Sequence, residues 1–280
     1  YCQEIITRLI EMKIKRNCTI VAIGGGIIQD ISAFIASILY RGIKWIFFPT
    51  TLLAQADSCI GSKTSINMGE YKNLLGNFYP PSKIYVDINF LETLSVEEIK
   101  SGIGEMLHFF FVAGSELAEK MMDSYDTILE TPKLLKDYIV ASLGIKKKVI
   151  EIDEYDKKER NLFNYGHTFG HAIETISNYS VPHGQAVTLG MDIANCLSLN
   201  LGYLGQNTFE EMHRVLLMNL PSFKIEKDMI DVYLKALSKD KKNIGNNLVC
   251  ILTSGPGSMK KEQIPMDHKL KDSILSYFQN

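Results

Sequence analysis

The sequence predicts an α/β domain with a parallel sheet over residues 1–93, followed by an all-α domain over 94–280. Three observations predict this. Short β-branched and aromatic runs alternate with helical patterns up to residue 93. The first such run ends in Gly24-Gly25-Gly26, a tight turn that opens a helix. Beyond residue 93, helical periodicities follow one another almost without a break.

The elements follow in order. Residues 3–14 carry an amphipathic helical pattern. The run from Cys18 to Ile23 reads as a buried strand and 27–39 as a helix. Trp45–Phe48 and Lys83–Asp87 read as further strands, the former stopped by Pro49. Helices are then predicted at 96–112, 115–124, 133–152, 166–178, 184–201, 208–218, 227–238 and 265–278. Residues 246–252 form a late strand or extended segment. The most apolar window, 34–56, is broken by Arg41, Lys44 and Pro49, so it predicts a helix and a buried strand rather than a membrane span. Tyr1 opens the chain and a helical pattern begins almost at once, so part of the first domain is expected upstream.

A length of 280 residues suffices for two modest cores. With 46% apolar and 22% charged residues the chain has the composition of a soluble globular protein, and a net charge of −2 gives no case for nucleic acid or an anionic membrane. Five scattered cysteines without Cys-x-x-Cys spacing predict reduced thiols and a cytoplasmic protein.

Three stretches carry chemistry. In the first, Asn164 to His171 with His183 beyond it, His167 and His171 are four apart and share a helix face. Nitrogen ligands gathered this way suit a divalent metal if a carboxylate joins them, and Glu105 is the best candidate; histidines satisfied by hydrogen bonds are the plain alternative. In the second, Gly24, Gly25 and Gly26 before a helix allow a phosphate to approach backbone N–H groups, unless the turn is merely tight. Asp30 could cap that turn or bind a ligand hydroxyl. In the third, Lys63, Lys72 and Asn73 lie in a Gly/Ser-rich stretch that suits a phosphate monoester, or is simply a solvated basic loop. Arg160, just before the histidines, suits a carboxylate, or a structural ion pair with Glu151 or Asp153.

Several of these motifs occur together in order: Gly24-Gly-Gly-Ile-Ile-Gln-Asp30, Pro49-Thr-Thr-Leu-Leu-Ala-Gln-Ala-Asp57, Gly61-Ser-Lys-Thr64, Lys72-Asn-Leu-Leu-Gly-Asn-Phe78, Gly104-Glu105, Asn164-Tyr-Gly-His-Thr-Phe-Gly-His-Ala-Ile-Glu174 and His183-Gly184. From about residue 15 to 260 the chain resembles the 3-dehydroquinate synthase family and the wider sugar-phosphate cyclases. The resemblance implies NAD and zinc or cobalt, held in a cleft between the domains, and family opening strands that lie upstream of Tyr1. It implies Glu105, His167 and His183 as metal ligands, which leaves His171 to handle protons or support the ligands. It implies Lys63, Lys72 and Asn73 as phosphate and substrate ligands, and Lys146 with Arg160 for a substrate carboxylate. Either Lys241 or Lys242 would lie near the phosphate, and Asn164 would stand among the catalytic positions. Gly24–Gly26, Asp30, Thr50, Thr51 and Asp57 match positions near NAD, with Lys63 and Lys72 close by. Arg41 resembles an arginine that reaches a neighbouring subunit's site, which implies a homodimer.

The implied reaction oxidises a secondary alcohol, eliminates phosphate, returns the hydride, and closes a carbocycle from a sugar phosphate. The chain departs from the family at His108, where a lysine is usual, and at Gln29, Ala33 and Ser62 in place of glycines. His108 therefore marks a changed substrate contact. A polyol or alcohol dehydrogenase of related fold, or a catalytically silent paralogue, are the competing readings.

Overall fold

The computed structural model describes residues 1–68, 71–240 and 242–279, with the side chains at 67, 68 and 71–73 outside the description. In chain order the elements are α1 (Cys2–Glu11), β1 (Thr19–Gly24), α2 (Gly26–Ile38), β2 (Lys44–Pro49), β3 (Ile66–Met68), β4 (Tyr71–Leu75), β5 (Lys83–Ile84) and α3 (Val96–Ala113). There follow α4 (Leu117–Asp123), α5 (Tyr125–Glu130), α6 (Lys136–Ile152), α7 (His167–Ile176), α8 (His183–Asn200), α9 (Gln206–Leu217), α10 (Ile230–Ser238), β6 (Asn247–Thr253), β7 (Met259–Pro265) and α11 (His268–Gln279). The chain divides into two compact units. One comprises Tyr1–Leu94 and Pro132–Tyr155, the other Ser95–Thr131 and Asp156–Asn280.

The first unit is built on a parallel sheet of order β1-β2-β5, with Thr19 opposite Lys44 and Gly24 opposite Pro49. Trp45 and Phe47 on β2 and Ala22 on β1 point into the core against Ala33, Ile35 and Ala36 of α2. Trp45 satisfies its buried Nε1–H on the Tyr79 carbonyl at 3.2 Å. The hairpin of β3 and β4 was not anticipated, because glycines and polar residues in 57–76 hide a two-residue period. Helix α6 belongs to this first unit, although the sequence division at 93/94 assigned it to the helical domain. Its Ser142 hydroxyl donates to the Ala56 carbonyl at 2.9 Å.

The second unit packs α3, α7 and α8 against one another. Helix α8 is buried along most of its length, since its apolar residues run round the whole helix. Ser95 caps the start of α3 by accepting from Glu98 N–H, and Gly114, in the left-handed conformation at φ 66°, ends it. The expectation of an all-α second domain is corrected by β6 and β7, an antiparallel hairpin running from Asn247↔Pro265 to Thr253↔Met259. The apolar run of β6 was legible. Strand β7 carries Lys260, Lys261 and Glu262, so its sequence lacks the apolar alternation that marks a strand. No helix among the described residues is long and apolar enough to cross a membrane.

Candidate metal centre and nucleotide turn

Two glycine contacts bring the histidine helices together. A Cβ at Gly104 on α3 would stand 2.0 Å from the Gly184 carbonyl oxygen on α8, so the two backbones touch where only hydrogen fits. A Cβ at Gly190 on α8 would stand 2.0 Å from the carbonyl oxygen of Gly166, which precedes α7 at φ 77°. Each contact lies beside a candidate ligand: Gly104 precedes Glu105, Gly166 precedes His167, and Gly184 follows His183. The crossing is fixed further by hydrogen bonds, with Gly184 N–H donating to Ser101 Oγ at 3.0 Å and Thr188 Oγ1 donating to the Gly184 carbonyl at 2.8 Å.

These helices place Glu105, His167 and His183 so that one donor atom from each lies within 4.8 Å of the others. Glu105 Oε1 is 3.1 Å from His183 Nε2 and 3.6 Å from His167 Nε2. Glu105 is only 2% exposed, and its Oε1 makes no hydrogen bond of acceptable geometry. The other ring nitrogens face outward from this centre. His183 Nδ1 lies 3.2 Å from Glu174 Oε1, and His167 Nδ1 lies 3.2 Å from the Tyr165 carbonyl. With both Nδ1 atoms protonated toward those acceptors, both Nε2 lone pairs converge with a carboxylate oxygen. Three electron-rich atoms facing one another fit a divalent cation. His171, Glu174 and His183 form a second compact group. It draws on His183 Nδ1 instead, so His171 stands apart from the set containing Glu105.

The electrostatics agree with this geometry. Desolvation pushes His167 and His171 down to about 3, so both are neutral at pH 7. Burial opposes charge on His183 too, but the facing carboxylates of Glu105 and Glu174 outweigh it and push His183 up to about 10. Burial alone would raise Glu105; the imidazoles of His167 and His183 overcome it and hold the carboxyl well below its usual range. Two buried carboxylates thus favour one positive charge at the centre, carried by a proton on His183 or by a metal ion.

His108 lies one turn beyond Glu105 and is 1% exposed. Its ring centroid is 5.0 Å from that of His167, 4.9 Å from Phe109 and 5.8 Å from Phe163. Lys242 Nζ donates to Asn164 Oδ1 at 2.7 Å, and its charge disfavours protonation of His167 and His171. Lys241 lies outside the described residues. Arg160 is buried in the second unit, whereas Lys146 belongs to the first.

In the first unit, Thr50 N–H donates to the Gly24 carbonyl at 2.9 Å, and a Cβ at Gly25 would press to 2.8 Å from Thr51 Cγ2. Helix α2 starts without a side-chain cap, and a Cβ at Gly26 would meet nothing within 4 Å, so the turn fits a pyrophosphate. Asp30 sits on the first turns of α2; burial pushes its carboxyl up to about 6 against a Ser65 backbone hydrogen bond. Gln29, in the place of a family glycine, is buried: its Nε2 donates to the Ser58 carbonyl and its Oε1 accepts from Ser58 Oγ, both at 2.6 Å. Lys146 Nζ donates to the Asp57 carbonyl at 2.7 Å and to its Oδ1 at 2.8 Å, which joins two predicted site residues to each other. Lys63 is exposed beside the β3–β4 hairpin, and the side chains of Lys72 and Asn73 lie outside the described part. Arg41 is exposed in a left-handed turn, with Tyr40, Arg41 and Gly42 at φ 52°, 63° and 113°.

Sequence reasoning missed two supporting residues. Glu174 follows His171 by three and His167 by seven, a helix-face spacing that could have flagged it. Gln55 donates from Nε2 to the Pro49 and Asp87 carbonyls at 3.1 and 2.8 Å, fixing the strand ends beside the turn; no sequence signal marks it.

Residues 1–101 match the family described as 3-dehydroquinate synthase N-terminal, and residues 102–243 match 3-dehydroquinate synthase C-terminal. A 3-dehydroquinate synthase of Clostridium tetani (strain Massachusetts / E88) is 40% identical over 248 residues, 87% of this chain and 66% of that protein. Another, from Campylobacter concisus (strain 13826), is 38% identical over 271 residues, 94% of this chain and 77% of that protein. This chain therefore spans 66% and 77% of these relatives' lengths. A crystal structure of 2-deoxy-scyllo-inosose synthase complexed with carbaglucose-6-phosphate, NAD+ and Co2+ is similar at a TM-score of 0.88 and 28% identity, covering 98% of this chain and 78% of that one.

Proposed function

The chain belongs to the 3-dehydroquinate synthase family, and on that premise we propose that it catalyses NAD- and divalent-metal-dependent cyclisation of a sugar phosphate with elimination of phosphate. The observation that carries the proposal is the buried convergence of Glu105, His167 and His183. Two imidazoles and one carboxylate form a donor set for zinc or cobalt, and leave further coordination positions for a substrate. When bound, the ion supplies Lewis acidity and NAD supplies reversible hydride acceptance.

The chain's own residues position and neutralise the substrate. Lys63, Lys72 and Asn73 bind the phosphate monoester, and Arg160 with Lys146 binds a carboxylate. Lys242 orients Asn164 through their hydrogen bond and adds positive charge near the histidines. His171, whose ring lies 5.5 Å from that of His167 and 5.7 Å from that of His183 between centroids, handles protons or supports the ligands. The glycine turn before α2, with Thr50, Thr51 and Asp30, holds NAD. Arg41 serves a neighbouring subunit in a homodimer, which the strained, exposed turn that presents it supports. Five free thiols support a cytoplasmic setting.

The test is inorganic phosphate release from 3-deoxy-arabino-heptulosonate 7-phosphate and from sedoheptulose 7-phosphate, with NAD and zinc or cobalt supplied. Chelator-sensitive release without NADH accumulation supports the proposal, and the substrate that releases phosphate names the specificity. NADH accumulation without phosphate release would make the protein a dehydrogenase. No turnover and no metal uptake would leave a silent paralogue.

A further inference from the structure

The metal ligands are supported unequally, and the inequality points to what the buried Glu174 does. His167 Nδ1 faces a backbone carbonyl, that of Tyr165. His183 Nδ1 faces a carboxylate, Glu174 Oε1, at 3.2 Å. Glu174 is 4% exposed and projects from α7, whereas His183 starts α8. The contact therefore crosses between the helix that carries His167 and the helix that carries His183. His183 is also the more accessible ligand, at 30% side-chain exposure against 15% for His167. Packing alone confines it less.

We propose that Glu174 is a positioning residue for the metal centre: its carboxylate accepts the His183 Nδ1 proton, fixes the Nε2 lone pair toward Glu105 and His167, and sets the ring's angle. The inference rests on the metal reading above. Its physical basis is general. A carboxylate behind a ligating imidazole selects the tautomer, restrains ring rotation and raises the basicity of the ligating nitrogen. Burying Glu174 without a donor would be costly, and the His183 Nδ1–H is one donor that offsets this cost. The competing role for Glu174 is direct ligation of a second ion together with His171 and His183 Nδ1. That role requires loss of the Nδ1 proton from His183, so an imidazolate would have to bridge two cations.

The experiment uses the whole chain and cobalt. Metal-depleted wild type, Glu174→Gln, Glu174→Ala and His183→Ala are titrated with Co2+ against a competing chelator, with visible absorption and stoichiometry recorded and folding checked by thermal melting. In Glu174→Gln the amide oxygen still accepts the Nδ1 proton at nearly the same place. The expected result is one ion per wild-type chain, affinity weaker by ~10–100-fold in Glu174→Ala with a shifted cobalt spectrum, and rescue of most affinity and of the spectrum in Glu174→Gln. Wild-type affinity and spectrum in Glu174→Ala would overturn the proposal. So would two ions per wild-type chain, with one lost in both Glu174 variants. If wild type takes up no cobalt, or His183→Ala binds it as wild type does, the metal reading itself fails, and that outcome is separate from failure of Glu174 alone. Glu174→Gln keeps the test valid if Glu174→Ala does not fold.

Discussion

Adding one methyl group at Gly104 perturbs the metal centre without touching a ligand. In Gly104→Ala the new Cβ would lie 2.0 Å from the Gly184 carbonyl oxygen, 2.5 Å from its carbonyl carbon and 2.7 Å from Thr188 Oγ1. The nearest neighbours are backbone, so no side chain can swing aside. A relaxed carbon–oxygen contact is more than 3 Å, so α3 and α8 must separate by about 1 Å at this crossing, at an overpacking cost of ~1–3 kcal/mol. Glu105 is the next residue on α3 and His183 the residue before Gly184, so the 3.1 Å approach of their donor atoms opens by a similar amount. Metal sites tolerate about 0.2 Å of misplacement. The expected result is a loss of cobalt affinity beyond about 100-fold, more than removal of a supporting hydrogen bond produces. Melting should fall by roughly 2–12 °C. Chelator competition and calorimetry measure the two effects. Gly144→Ala on α6 is the control: its Cβ meets nothing within 4 Å, so it should leave metal affinity unchanged and melting equal or higher. Wild-type cobalt affinity in Gly104→Ala would refute the claim that this helix contact sets the ligand geometry.

Three further outcomes are expected. The Asp30 carboxyl, raised from 3.8 to about 6, binds more protons in the folded state than in the unfolded one between those values. Its contribution to stability is therefore fully present below pH 3.8 and lost as pH rises through about 6, by up to about 3 kcal/mol; urea midpoints of ligand-free wild type and Asp30→Asn measured from below to above this window should show the variant lacking that decline. Gln29→Ala removes both hydrogen bonds to Ser58 and leaves the Ser58 carbonyl without that donor, so urea unfolding should report a loss of about 1–3 kcal/mol; an unchanged midpoint would show that Gln29 does not clip α2 to the 54–58 turn. His108→Phe keeps a ring in the aromatic box beside His167, so cobalt affinity should stay within about tenfold, whereas a greater loss would make His108 a ligand or an essential support of one.

Much of the local architecture was legible in the sequence because short-range physics writes it there. The β-branched run before Gly24 became β1, the apolar run at 246–252 became β6, and the helical periods became α2, α3, α7, α8 and α9 within a few residues. The spacing of His167 and His171 announced a polar helix face, and Gly24–Gly26 announced an uncapped helix start. Glu105 was already the best carboxylate candidate from the residues, and the motif resemblance implied it again while moving His171 out of the ligand set.

Tertiary structure decided the rest. His171 shares a helix with His167, yet His183, from another helix, is the imidazole whose donor atom meets Glu105, 78 positions away in sequence. That partnership depends on backbone contacts at Gly104, Gly166, Gly184 and Gly190, whose missing side chains let carbonyls and helices touch. The role of Glu174, the pairing of Lys146 with Asp57, and the choice of Lys242 as the partner of Asn164 are all contacts between distant segments. So are the charged strand β7 and the assignment of α6 to the first unit. A sequence records which side chains a segment offers. Which of them converge depends on how closely helices approach, and at this centre the absence of a β-carbon governs that distance.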